Sequence, residues 1–149
     1  MTYLPEPLAP KLRIGPGVAA GIDEEMIRGL VHTFYGRVRQ DAVLGPIFNA
    51  AIDDWPAHLA KLCDFWSSVM LMTGRFKGSP MAAHARNPAI QDAHFALWLD
   101  LFARTAREVC PPPAAALFVE KSRMIGRSLA LGLAVSRGEI PPLERGDVP

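Results

Sequence analysis

The chain has 149 residues, of which 50% are hydrophobic and 21% charged, and 16 basic against 15 acidic side chains leave a net charge of +1. That length and composition describe one globular domain with a sizeable core and exclude a disordered chain. The charge balance gives no electrostatic basis for binding nucleic acid or an anionic membrane surface.

Near the C-terminus the longest uncharged apolar run, SLALGLAVS over 128–136, is too short to span a bilayer. The N-terminus, MTYLPEPLAPKLRIGPG, lacks the charged start and apolar core of a secretion signal. Cys63 and Cys110 form no CxxC pair. A reduced, cytoplasmic protein is the expectation.

Residues 1–21, rich in Pro and Gly, read as an irregular arm ahead of a domain over 22–138, with a polar, frayed tail over 139–149. Asp23 has the chemistry of an N-cap, and Glu24 and Glu25 suit the first turn of a helix. Ile27, Leu30, Val31, Phe34 and Val38 then repeat at a period near 3.6, with Tyr35 bordering the same face, and the helix ends around Gln40. The segment 41–50, broken by Gly45-Pro46, reads as a short turn or half-turn segment.

Asp53 or Asp54 caps the next helix, with Pro56 tolerated in its first turn. Trp55, Leu59, Leu62, Phe65, Trp66, Val69 and Met70 form its apolar stripe. His58 lies four residues before Leu62 on that face, and Gly74 ends the helix. A loop over 75–80 and a short helical turn over 81–86 carrying His84 precede the stop signal Asn87-Pro88. Asp92 suits the N-cap of a helix reaching about Val109, with Phe95, Trp98, Phe102, Thr105 and Val109 as its stripe. Three prolines, 111–113, make a corner before a last helix over 114–138 with Leu117, Phe118, Met124, Ile125, Leu129 and Leu133 facing in. No β-alternating segment and no repeat interrupts this all-α pattern of four substantial helices and two short ones.

The sequence contains no GxSxG, GxxxxGK[ST], HExxH or nucleotide-type glycine loop. What stands out is a concentration of large aromatics and histidines, with all three tryptophans and three of the four histidines between 54 and 102. Haem requires a wide apolar slot, one axial imidazole, and a distal face whose polarity sets the chemistry of the iron. His84, on a short separate helical piece, suits the axial role. Tyr35, Trp98 and His58 supply a phenol O–H, an indole N–H and an imidazole for the distal face. Taken singly, each has an ordinary reading: His84 as a surface or capping histidine, His58 as a satisfied half-buried one, the aromatics as core. Spacing leaves haem as one option among several.

In combination, the motifs point further. The runs FYGRVRQDAVLGPIFN, DDWPAHLAKLCDFW, PMAAHARNP and FALWLDLF resemble, in order and spacing, the group III truncated haemoglobins, over roughly 22–137. The combination of W-x-x-H, F-W, P-x-x-x-H and W-L-x-L-F carries the resemblance, and the paired glycine motifs of other truncated globins are not evident. The resemblance implies an all-α, globin-like two-over-two helical sandwich holding b-type haem, iron protoporphyrin IX. It implies His84 as the proximal iron ligand, Tyr35, His58 and Trp98 as distal residues, and Leu62 as the aliphatic facing the iron. Phe48, Phe65, Phe95 and Phe102 are candidate ring contacts, and Arg75, Lys77 and Arg86 candidates for the propionates.

Three functions follow from that reading. One is binding of O2, NO or CO at a pentacoordinate iron, with a redox partner to reduce it. Another is enzymatic, peroxide reduction or NO dioxygenation with His58 as acid–base. A third is a haem sensor or haem-handling module, hinted at by Cys110-Pro111, although that pair reads more simply as part of the helix-ending corner. An all-α scaffold without haem has no extended apolar patch or basic face in its favour.

Overall fold

The computed structural model describes residues 14–78, 89–136 and 138, and all regular structure among them is helical. In chain order the helices are α1 (Glu24–Gln40), α2 (Leu44–Ala51), α3 (Trp55–Leu71), α4 (Asp92–Val109) and α5 (Pro112–Ser136). The first thirteen residues, the 81–86 turn with His84 and Arg86, and the C-terminal tail lie outside the described residues.

Local chemistry sets the helix boundaries. The Asp23 carboxylate accepts from the Met26 amide at 2.8 Å and so caps α1. Asp54 does the same for α3, accepting from Ala57 at 3.1 Å, with Pro56 in the first turn where no amide donor is required. At the start of α4 the cap is Gln91 rather than Asp92, because a reciprocal pair forms: the Gln91 amide donates to His94 Nδ1 at 2.9 Å, and the Gln91 side chain accepts from the His94 amide. Helix α3 ends earlier than Gly74 suggests. Met72 adopts the left-handed conformation, φ 57°, and its amide closes on the Ser68 carbonyl at 3.1 Å.

The segment around Gly45-Pro46 is a helix, not a turn. Pro46 falls in its first turn, and Asp41 accepts from the Val43 and Leu44 amides at 3.0 and 2.8 Å, supplying the start that the sequence seemed to lack. Gly45 is required by space: a Cβ there would sit 2.7 Å from the Arg39 carbonyl oxygen.

Helices α1 and α3 run antiparallel, since Glu24 at the start of α1 meets Ser67 late in α3, and Tyr35 late in α1 meets His58 early in α3. Helices α4 and α5 form a second antiparallel pair around the 110–111 corner, with Leu99 packed on Gly126. Helix α1 crosses α4 through Phe34, whose ring stands edge-on to Trp98 and Phe102 at 5.2 and 5.0 Å. The result is a two-over-two sandwich with α2 bridging α1 and α4.

The main core gathers Ile27, Leu30, Val31, Phe34, Val38, Leu44, Trp66, Met70, Phe102 and Phe118. A smaller cluster, Ile90 and Phe95 with Ile47, Leu129 and Ala130, is separate from it. Two residues assigned to inward faces by periodicity are turned out: Val109 is 43% and Met124 45% exposed. Val109 is the last residue of α4, where the chain leaves its partner helix, and Met124 lies on the flank of α5 away from Ser122 and Gly126, which face α4. Of the arm, the described part docks on the end of α3, the Gly17 amide donating to the Met70 carbonyl at 2.8 Å. Both cysteines are free thiols.

Candidate functional site

Tyr35, His58 and Trp98 come from three helices and converge. Tyr35 follows Ile27 and Val31 at helical steps on the buried face of α1 and is only 5% exposed. Its ring touches those of Phe34 (4.7 Å), Trp55 (6.1 Å), Phe48 (6.3 Å) and His58 (6.3 Å). Burial pushes its hydroxyl far above the ordinary phenol value of 10.0, and a hydrogen bond from Trp98 offsets only part of that shift. The indole N–H can only donate, so in that hydrogen bond Tyr35 is the acceptor.

Trp98 is held by stacking. Its ring is parallel to Phe102 within 3° at 5.5 Å, and Phe102 is in turn parallel to Trp66 within 7° at 5.3 Å. This three-ring stack spans α4 and α3, and Phe118 closes it from α5 at 5.5 Å from Trp66. Phe102, 1% exposed, is the middle of the stack and so belongs to the core that fixes Trp98.

His58 is half-buried one turn into α3, its ring perpendicular to Tyr35 at 83° and to Trp55 at 87°. Leu62, one turn further on, is half-buried against the main core, as are Phe48 on α2 and Phe65 on α3. Phe65 is edge-on to Phe76 in the following loop, at 5.3 Å. Phe95 sits apart, in the smaller cluster with Ile90.

Of the basic candidates, Arg75 and Lys77 are among the described residues. Arg75 pairs with Glu24 at 3.2 Å, within a polar clasp that sequence reasoning missed. The buried Ser67 hydroxyl donates to Glu24 at 2.7 Å, so Thr73, 2.8 Å away, is the donor to Ser67. Ser68 accepts from the Phe76 amide at 2.9 Å and holds the same loop. Glu24, assigned from sequence only to the first-turn dipole, therefore also anchors the loop leaving α3. Lys77 is exposed, and Arg86 and His84 lie outside the described residues.

Sequence reasoning also missed a group behind His58. Trp55, placed on the apolar stripe, has a polar role as well: its Nε1 donates to Asn49 Oδ1 at 3.2 Å, and the Arg39 guanidinium lies 4.6 Å from its ring centre. The three-residue step from Trp55 to His58 was the available signal, since it puts both on one helix face.

The residues fit a flat apolar group. Phe48 packs half-buried on Tyr35, Trp98 half-buried on the Phe34 ring beside it, and Leu62 and Phe65 are half-buried further along α3, so large apolar side chains lie next to a buried phenol.

No family model matches the chain. It is 34% identical over 108 residues to the group 3 truncated haemoglobin ctb of Campylobacter jejuni, a match covering 70% of this chain and 85% of that protein. The crystal structure of the group III truncated haemoglobin from Campylobacter jejuni superposes with a TM-score of 0.71 at 34% identity, covering 75% of this chain and 91% of that one. With the helical sandwich and the convergent aromatic pocket, this relationship identifies the chain as a member of the group III truncated haemoglobins.

Proposed function

We propose that the protein is a haem globin that binds small diatomic ligands, O2, NO and CO, in a pocket whose polarity is set by Tyr35. The observation that carries this reading is the convergence on a buried tyrosine: Tyr35 is 5% exposed, His58 stands edge-on to it at 6.3 Å, and Trp98 packs on the same Phe34 ring. A bound b-type haem would supply an iron centre able to take a diatomic ligand, and His84 is the residue that would hold it. Phe48, Leu62 and Phe65, with Trp98, exclude water from the ligand side.

Tyr35 then directs its proton to the ligand. A hydrogen bond to a strongly polarised acceptor contributes on the order of 1.5–3 kcal/mol, and a ligand that draws little negative charge gains much less. Tyr35→Phe is therefore expected to speed O2 release by about 10–100-fold while changing CO release far less. Equal changes for both gases in stopped-flow displacement would contradict the donor role. A second reading, peroxide reduction, draws support from the half-buried imidazole of His58 beside Tyr35. Peroxide turnover unchanged in His58→Ala would remove the acid–base role for that residue.

A further inference from the structure

His58 does not stand alone at the edge of the pocket. Its ring has Tyr35 on one side, at 6.3 Å, and the edge of Trp55 on another, at 5.8 Å. Trp55 also contacts Tyr35, at 6.1 Å, so one indole touches both polar groups. Two independent attachments fix that indole. Asn49, on α2, accepts its N–H at 3.2 Å, and the Asn49 side-chain amide donates to the Arg39 carbonyl, also at 3.2 Å. Arg39, near the end of α1, places its guanidinium 4.6 Å from the indole centre. The corner where α1, α2 and α3 meet is thus closed through a tryptophan whose far edge bears on His58.

We infer that Trp55 is a positioning residue, held by Arg39 and Asn49, that keeps the His58 imidazole against Tyr35 and so sets the resistance of the route by which a ligand reaches the pocket. The Trp55 ring, perpendicular to the half-buried His58 imidazole at 5.8 Å, packs on it directly. Arg39 and Asn49 are exposed, so the latch lies at the surface while its effect is read inside. This inference rests on the gas-binding reading, because the route matters only if the pocket takes a ligand.

Flash photolysis of the CO complex tests it, with the ferrous wild-type protein, Trp55→Leu and Asn49→Ala. Loss of the latch is expected to raise the CO association rate by about five- to thirtyfold in Trp55→Leu, the change that a rearrangement of one or two contacts produces. A smaller rise is expected in Asn49→Ala, which keeps the indole. The infrared C–O stretch should broaden or split as His58 takes a second position, and crystal structures should show a changed His58 side-chain torsion. In a His58→Ala background both substitutions should have no further effect on association. Unchanged rates and C–O stretch in both variants, or a rise of equal size without His58, would overturn the inference while leaving gas binding intact. If Trp55→Leu fails to fold, Asn49→Ala decides by the same criteria. A wild-type protein with no CO-sensitive Soret band would remove the gas-binding reading and this inference with it.

Discussion

Tyr35 is buried, and pH can expose the consequence. In the unfolded chain its phenol ionises near 10.0, whereas in the folded chain burial holds it protonated to well above that value. Below 10.0 both states keep the proton, and the contribution of Tyr35 to stability is fully present. As pH rises past 10.0 the unfolded state binds fewer protons than the folded one, so that stability is progressively lost. Urea unfolding between about pH 9 and 11 should show a steeper alkaline decline in the wild type than in Tyr35→Phe. Parallel declines would mean that Tyr35 is not shielded. At this scale the sequence was legible where spacing and residue type coincide. Tyr35, His58 and Trp98 meet as their motifs imply. The stacking of Phe102 between Trp66 and Trp98 was less legible, because a stripe position does not say which rings of other helices it meets. Arg75 was not legible as the partner of Glu24, since the two lie far apart in sequence and meet only through the α1–α3 pairing.

Helix α3 carries His58, Leu62 and Phe65, and its start is fixed by one exposed carboxylate. Removing the Asp54 cap in Asp54→Ala should cost about 1 kcal/mol. For a chain of this size that corresponds to a fall of roughly 2–4 °C in the thermal midpoint. An unchanged midpoint would show that α3 is started by its packing instead. The aromatic stack is a stronger constraint. Phe102→Ala removes the middle ring between Trp66 and Trp98 and should cost about 3–5 kcal/mol, measured by denaturant unfolding. Caps and stripes made α1, α3 and α4 legible to within a few residues. Helix α2 was hidden because Gly-Pro signals a break, yet in the first turn of a helix neither residue breaks anything. Met124 was misassigned because an antiparallel neighbour covers a narrower arc than the apolar stripe suggests, and Val109 because it ends α4, beyond that cover.

For the whole molecule, periodicity gives the number and kind of helices but not their pairing. The antiparallel α1–α3 and α4–α5 arrangement depends on contacts between distant residues, such as Phe34 with Phe102 or Trp66 with Phe118. The family motifs carried that information, because they encode which aromatic rings must meet. Among the described residues no helix is long and apolar enough to cross a membrane. Arg37, paired with Glu108 at 2.7 Å and donating to Thr105 at 3.2 Å, ties the two helix layers together on the outside. Being largely exposed, that ion pair contributes little beside the aromatic core.

Haem held by His84 is the proposal on which gas binding depends, and absorption spectroscopy measures it. Purified protein would be measured oxidised, reduced with dithionite, and reduced under CO, alongside His84→Ala with and without added imidazole. The expected result is an intense Soret band that shifts with CO, is lost in His84→Ala and returns with imidazole. No Soret band after haem is added, or a band indifferent to His84→Ala, would contradict it.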